Sequence, residues 1–600
     1  MAARATAAQQ AQPRRWKAFT ITALAVGWLW YGTAAADAQT RPAPAPDPAA
    51  PRAIQASRQM VAAANPLAAE AGLEILRKGG SAIDATIAVQ LVLGLVEPQS
   101  SGIGGGAFLV HFDAAKGETA TYDGREKAPQ GASATMFLDP EGKPLPFAEA
   151  SIGGIAVGTP GLLRMLELAH RDHGRLPWGR LFEPAMRLAE DGFPVSARLN
   201  RQIAGDEQLK SFAAARGYFY DADGNARAAG TRLANPAYAE TLRMIANGGA
   251  DAFYSGTIAQ DIENAVRSTG PRTGTLGADD LAAYRAAKRE AVCGPYREAR
   301  FCGMGPPSSG GITVLQILGM LSAFDPKLLA PTTLKSVYLT SEASRLAFAD
   351  RNQYIGDGDF VTVPIAEMLD PTYLAKRTKL ISMTKSLGRA EPGRPGTRAG
   401  ALTPALVDTT PELPSTSHIS VIDATGNAVA MTTSIENVFG SKILVRGFLL
   451  NNEMTDFAFR PIVDEQPVAN RIEPFKRPRS SMSPMLGFDK DGKLLLSLGS
   501  PGGPRIIGYV VKTLSGVIDG GLDIQAAIGL PNFINMNGAT ELEEGTALTR
   551  LGPELQALGQ TVQAKSLDSG LQGIMVVRRG DEVRLFGGAD PRREGVAVGD

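Results

Sequence analysis

Ser415-Thr-Ser-His-Ile-Ser-Val-Ile-Asp423 opens a stretch unlike the one before it. Positions 386 to about 415 are rich in Gly, Pro, Thr and Arg and show no apolar period, which predicts a loop. From Ser417 the residues alternate, and Ala428-Val-Ala-Met-Thr-Thr-Ser434 follows after the turn residues Ala424-Thr-Gly-Asn427. That pattern predicts two paired strands. Thr416 therefore heads a strand directly behind an irregular segment. A hydroxyl so placed can attack the carbonyl before it, break the chain and leave the threonine with a free α-amine. An α-amine titrates near about 7.7–8.0, so nucleophile and base come to share one residue. Thr432 and Ser434 share one face of the neighbouring strand, because side chains alternate with a period of two.

Working outward, apolar positions recur at helical spacing from Asn65 to Val96, with a break at Gly79-Gly80 and Ser81 as a cap for the second helix. Helices are also expected at 162–170, 178–190, 236–247, 312–324, 503–517 and 523–529. Strands are expected at 107–112, 120–122, 494–498, 573–577 and 583–586. Helices and strands thus mix on both sides of the 386–415 loop, which predicts an α/β sandwich. Gly102-Ile-Gly-Gly-Gly-Ala107 fits a loose dinucleotide-binding pattern, but that pattern needs a strand before it and a helix after it. Here the order is reversed. The glycines instead predict a tight turn beside something that approaches closely.

Composition narrows the chemistry. Lys plus Arg (61) balances Asp plus Glu (61) over 600 residues, so no global field favours nucleic acid. Arg14, Arg15 and Lys17 precede an apolar run that ends in Ala36-Asp-Ala38, the pattern of a cleaved leader at 1–38. A Pro/Ala-rich linker is expected at 39–52. The reading is a periplasmic or secreted protein without a stable membrane anchor. Cys293 and Cys302 are the only cysteines. A disulfide across a hairpin and two buried thiols would look the same in sequence. His111, His170, His173 and His418 are the only histidines. His170 and His173 read as surface residues, with no third ligand to complete a metal site. Ser382-Met-Thr-Lys385 matches a serine-enzyme pattern whose companion motifs are missing. Scarce histidine favours chemistry that needs no histidine base.

Several ordered stretches carry a resemblance. They include Ala71-Gly-Leu-Glu-Ile-Leu-Arg-Lys-Gly-Gly80, Glu97-Pro-Gln-Ser-Ser-Gly-Ile-Gly-Gly-Gly106, Arg125-Glu-Lys-Ala-Pro129 and Pro306-Pro-Ser-Ser-Gly-Gly311. Further along come Thr416-Ser-His-Ile-Ser420, Leu449-Leu-Asn-Asn-Glu453, Lys476-Arg-Pro-Arg-Ser-Ser-Met482, Gly499-Ser-Pro-Gly-Gly503 and Gly588-Ala-Asp-Pro-Arg-Arg593. Together they resemble the γ-glutamyltranspeptidase family across nearly the whole mature chain. The resemblance implies Thr416 as nucleophile and new N-terminus, with Ser434 assisting it where many members carry threonine. Thr432 is grouped with Ser434 as a catalytic candidate. Gly502 and Gly503 match the backbone donors of an oxyanion hole. Arg125 matches the residue that grips a substrate α-carboxylate, a task suited to a guanidinium fork. Ser480 and Ser481 would complete that grip. Glu436, Glu453 and Asp456 match positions around an α-ammonium.

The implied fold is the four-layer αββα sandwich of the N-terminal-nucleophile hydrolases. Cleavage between Ser415 and Thr416 would give a large subunit (53–415) and a small one (416–600), roughly 40 and 20 kDa by proportion, held as a heterodimer. The implied substrate is a γ-glutamyl amide such as glutathione, with water or an amine as acceptor and no metal or cofactor. A glutaryl (cephalosporin) acylase on the same fold is one alternative, and an unprocessed binding protein is another. No tyrosine lies between Asp456 and Ser480, which puts in doubt the aromatic lid of some members and predicts a more open site.

Overall fold

The computed structural model describes residues 52–396, 415–463 and 465–600. The expected leader, all but the last residue of the expected linker and most of the loop ahead of Thr416 lie outside them.

Ser417–Ile422 pairs antiparallel with Ala428–Ser434, with Ser417 opposite Thr433 and Ile422 opposite Ala428. These two strands sit inside a seven-stranded sheet. Its order is Val596–Gly599, Met60–Ala63, Ser417–Ile422, Ala428–Ser434, Gly106–Asp113, Glu118–Gly124 and Ala287–Arg289. A second seven-stranded sheet runs Ile54–Ala56, Glu582–Ala589, Gln572–Arg579, Leu494–Gly499, Met485–Phe488, Ala299–Gly303 and Val292–Tyr296.

Alternation along the strands sorts side chains between two cores. Ile419, Val421, Val429 and Met431 face the helices Pro66–Arg77 and Ala82–Val96. Ile422, Ala428 and Ala430 face the second sheet and meet Leu486, Phe488 and Ile574. On the far side of that sheet, Leu496 and Leu498 pack with residues of the helices Gly310–Leu321 and Ile506–Ile518. The layers are therefore helix, sheet, sheet, helix. The Ala82–Val96 helix is apolar nearly all round and wholly buried, as its layer requires. Its start is a capping box, in which Ser81 Oγ accepts the Asp84 N–H at 3.1 Å and Asp84 Oδ2 accepts the Ser81 N–H at 2.9 Å.

The glycine run leads from this helix into Gly106–Asp113. A Cβ on Gly104 would stand 2.2 Å from Leu449 O, and one on Gly105 would stand 2.1 Å from Ser434 O. The turn presses directly on backbone, which is the close approach the sequence suggested. Cys293 and Cys302 sit opposite each other in a hairpin and are joined by a disulfide.

His170 and His173 are half-buried rather than freely exposed. Their helix, Leu162–His173, packs over the Gly106–Asp113 and Glu118–Gly124 strands and carries both rings inward. His170 Nε2 lies 2.8 Å from Leu176 O, and the His173 ring stacks on His111 with centroids 3.9 Å apart. Ser382 Oγ accepts the Thr384 and Lys385 N–H groups in an exposed turn and faces no catalytic partner. Among the described residues no helix is long and apolar enough to cross a membrane.

Candidate active site

Thr416 stands just ahead of its strand and is 4% exposed. Its Oγ1 lies 3.3 Å from Ser434 Oγ, on the neighbouring strand. Ser434 Oγ also accepts the Glu436 N–H at 2.8 Å. One lone pair of Ser434 is thus filled, and its proton and other lone pair are left for Thr416. The backbone at Thr416 has φ of 113°, strained for a β-branched residue by on the order of 1–3 kcal/mol. Contacts on both sides sustain that conformation. Ser415 Oγ donates to Gln99 O at 2.8 Å, and Arg593 Nη1 donates to Thr416 O at 3.2 Å.

Thr432 shares its face with Ser434 but serves a different neighbour. Its Oγ1 lies 2.9 Å from His418 Nδ1, and His418 Nε2 lies 3.2 Å from Ser420 Oγ. Burial pulls the His418 pKa down to about 3, so the ring is neutral near neutrality. It bridges two residues of its own sheet, and Ser420 Oγ carries the chain on to Gln572 O and Ser497 Oγ of the second sheet.

A cleft gathers most of the expected site. It is lined by Arg125, Thr416, Ser434, Glu436, Glu453, Asp456, Ser480, Ser481 and Gly503, with Met482 and Ile506. Thr432 and Gly502 are not in its lining. Arg125 is fixed from several sides. Its backbone N–H donates to Asp123 Oδ1 at 2.9 Å, and its carbonyl accepts the Tyr284 hydroxyl at 2.7 Å. Its Nε and Nη2 reach Pro478 O at 3.2 Å and Arg479 O at 3.0 Å. Its Nη1 pairs with Glu453 and its Nη2 with Asp456. Burial works against the guanidinium charge, but Glu453, Asp456 and Glu126 outweigh it and hold the pKa above its ordinary value. Burial lifts Glu453 above the usual carboxylate range, and Arg125 opposes that shift. Ser481 Oγ accepts Arg351 Nη2 at 2.6 Å, and Ser480 Oγ accepts the Met482 N–H at 3.1 Å.

Gly502 and Gly503 have φ of 136° and 58° and precede the Ile506–Ile518 helix. A Cβ on Gly502 would meet the Tyr509 ring at 2.7 Å. Only glycine fits both the angle and the space there. No aromatic residue lines the cleft among the described residues. Phe457 and Phe459, in the segment where an aromatic lid was in doubt, are buried with Phe137 in a separate core.

Four residues near the site were given no role from sequence. Asn451 Nδ2 donates to Gly104 O and Gly158 O, both at 2.8 Å, while its Oδ1 accepts the Glu453 N–H at 3.0 Å. It ties the glycine turn to the acidic wall. Asn451, Glu126 and Arg593 lie within stretches that carried the family resemblance, which was the available signal. Arg351 comes from the Leu334–Tyr354 helix, where a lone arginine gives no such signal.

A four-layer αββα sandwich with a threonine hydroxyl heading a central strand defines an N-terminal-nucleophile hydrolase. The family model described as Gamma-glutamyltranspeptidase matches residues 68–600, and the chain belongs to that family of enzymes. It is 37% identical over 550 residues to the glutathione hydrolase proenzyme of Escherichia coli (strain K12), covering 90% of this chain and 91% of that one. It is 36% identical over 547 residues to the same-named proenzyme of Bacillus subtilis (strain 168), again covering 90% and 91%. Among solved structures, the cephalosporin acylase from Bacillus halodurans is similar with a TM-score of 0.78 at 26% identity, covering 94% of this chain and 99% of that chain.

Proposed function

We propose that the protein is a self-cleaving γ-glutamyl transferase and glutathione hydrolase whose nucleophile is Thr416. The observation that carries this reading is the 3.3 Å approach of Thr416 Oγ1 to Ser434 Oγ inside a cleft that also holds the Arg125 fork and three acids. In the first reaction Thr416 Oγ1 attacks the Ser415 carbonyl and displaces the Thr416 amine, and hydrolysis of the resulting ester then separates the pieces and restores the hydroxyl. In the second, that amine takes the hydroxyl proton while Oγ1 attacks the γ-glutamyl amide. The Gly502 and Gly503 N–H groups receive the developing oxyanion, an effect worth roughly 2.7–4 kcal/mol per donor. The protonated amine then gives its proton to the leaving nitrogen as the C–N bond breaks, and water or a second amine takes the acyl group from the ester.

The substrate α-carboxylate would share Arg125 with Glu453 and Asp456, with Ser480 and Ser481 beside it. The α-ammonium would lie among Glu436, Glu453 and Asp456 and offset their charge. This balance favours γ-glutamyl over glutaryl groups, which lack the ammonium and would leave the acids uncompensated. The likeness to a cephalosporin acylase supports glutaryl amides as a second substrate class. Comparing γ-glutamyl and glutaryl anilides at equal concentration separates the two, and faster glutaryl cleavage would reverse the assignment. An aromatic-free cleft favours water or large acceptors over small amines.

We also propose export. The leader-like 1–38 segment supports it, as does the Cys293–Cys302 disulfide, since such bonds persist in oxidising compartments. The deciding experiment is a denaturing gel with N-terminal sequencing of both pieces. Pieces of roughly 40 and 20 kDa, beginning near Gln39 and at Thr416, are expected, together with glutamate release from glutathione. A single full-length band with no glutamate release would make the chain a binding protein.

A further inference from the structure

Glu97, Arg198 and Arg593 are buried and their side chains are loosely paired, with Glu594 half-buried beside them and its Oε1 accepting the Arg198 backbone N–H at 2.8 Å. Arg198 Nε stands 3.9 Å from Glu97 Oε1, and Arg198 Nη2 stands 4.0 Å from Asp568 Oδ2. Arg593 Nε stands 3.7 Å from the same Asp568 oxygen. These separations are too long for hydrogen bonds. Both Glu97 oxygens, Arg198 Nε and Nη1, Arg593 Nε and Glu594 Oε2 have no hydrogen-bond partner among the described residues. Buried charges held this loosely are a poor source of stability. Arg593 nevertheless connects this cluster to the cleavage point. Arg593 donates Nη1 to Thr416 O and Nη2 to Asp568 O, each at 3.2 Å. Glu97 attracts both Arg198 and Arg593, while the like charge of Arg198 repels Arg593 and presses it away from Arg198, toward the Thr416 carbonyl that it holds. Glu97 also lies two residues before Gln99, whose carbonyl holds Ser415 Oγ at 2.8 Å. One short segment thus governs both sides of the cleavage point, directly through Gln99 and indirectly through Arg593.

We propose that Glu97 and Arg198 are positioning residues for self-cleavage, holding Arg593 on the Thr416 carbonyl so that the peptide is presented to Thr416 Oγ1. This rests on the self-cleaving reading above. In that step the bond from Thr416 Oγ1 to the Ser415 carbonyl carbon forms. The Ser415 C to Thr416 N bond breaks, and the hydroxyl proton passes to the new amine. Water then divides across the ester, its hydroxyl going to Ser415 and its other proton to Thr416 Oγ1.

The test times precursor conversion in the full chain for wild type, Glu97→Gln, Arg198→Gln, Arg198→Lys and the Glu97→Gln/Arg198→Gln pair. Each single Gln change should slow conversion by about tenfold or more. The pair should be no slower than the worse single, since residues acting as a unit are not additive. Arg198→Lys should recover much of the rate, and thermal midpoints should stay within about 3 °C of wild type. Conversion at the wild-type rate in folded Gln variants would overturn the proposal. So would slowing that follows lost thermal stability and that lysine does not rescue. If Glu97→Gln is insoluble, Glu97→Asp decides, because it keeps the charge but withdraws it by one methylene. A wild-type chain that never splits refutes the self-cleaving reading itself, which the variant comparison then distinguishes from failure of the positioning role.

Discussion

The proposed chemistry rests on the Thr416 and Ser434 hydroxyls, 3.3 Å apart, and on the Arg125 fork beside them. Thr416→Ala should stay a single chain near 63.0 kDa less its leader, because no other hydroxyl lies within bonding reach of Ser434 Oγ among the described residues. Smaller fragments from that variant, seen on a denaturing gel, would mean another nucleophile. Arg125→Lys keeps a charge but loses the fork. Losing charge-assisted hydrogen bonds of about 1.5–3 kcal/mol should raise KM for glutathione roughly tenfold to a hundredfold, with a smaller change in kcat. An unchanged KM in steady-state assays would move the carboxylate contact elsewhere. Much of this site was legible in sequence. Thr416 was marked by its place behind a loop together with the family resemblance, and Ser434 by the resemblance, with alternation placing it on one face with Thr432. Thr432 shows the limit of that reasoning, because a period of two sets the face of a strand but not which neighbour a side chain reaches. Arg351 was beyond it altogether, since its bond to Ser481 joins a helix to a distant loop.

The strand and turn that carry these hydroxyls impose their own constraints. A methyl on Gly105 would fall 2.1 Å from Ser434 O, where only backbone can yield. Gly105→Ala should therefore displace Ser434, destabilise the protein by several kcal/mol, on the order of an overpacked core, and slow self-cleavage in whatever folds. Wild-type urea stability in this variant would show that the turn has room to move. The glycine run was legible because its flanking elements came in the wrong order for a cofactor loop. What it presses against was not, since Leu449 and Ser434 come from far along the chain. The Ser417–Ile422 strand also carries His418, buried and neutral, with its pKa lowered to about 3 from an ordinary value near 6.5. The unfolded chain takes up this proton first as pH falls, so stability is lost from about pH 6.5 downward. Between pH 7 and pH 5 the loss from this one group should be about 2 kcal/mol. Burial raises Glu97, Glu126 and Glu453, which act in the opposite sense. Comparison with His418→Gln isolates the histidine term. Urea titrations of the two proteins that stay parallel from pH 7 to 5 would refute it.

At the scale of the molecule, the sheets explain why a cut chain can remain one body. The order of elements and the αββα layering were legible from periodicity and family resemblance. The interleaving was not, because local pattern predicts strands but not their distant partners. Ser417–Ile422 lies between Met60–Ala63 and Ala428–Ser434, and Ala428–Ser434 in turn borders Gly106–Asp113. In the second sheet four strands from beyond Thr416 lie between Ile54–Ala56 on one side and Ala299–Gly303 with Val292–Tyr296 on the other. Breaking the Ser415–Thr416 bond removes none of these pairings, and the core between the sheets draws Met60 and Phe112 from one piece and Leu486 and Ile574 from the other. Separation would expose that core and leave interior strand edges unpaired, which is a cost of the order of global unfolding. The cut protein and the Thr416→Ala precursor should therefore elute from a sizing column at the same volume. The two pieces should co-elute until denaturant reaches the concentration that unfolds the precursor. Release of the smaller piece in native buffer would mean that its strands pair less firmly with the larger piece than this interleaved order requires.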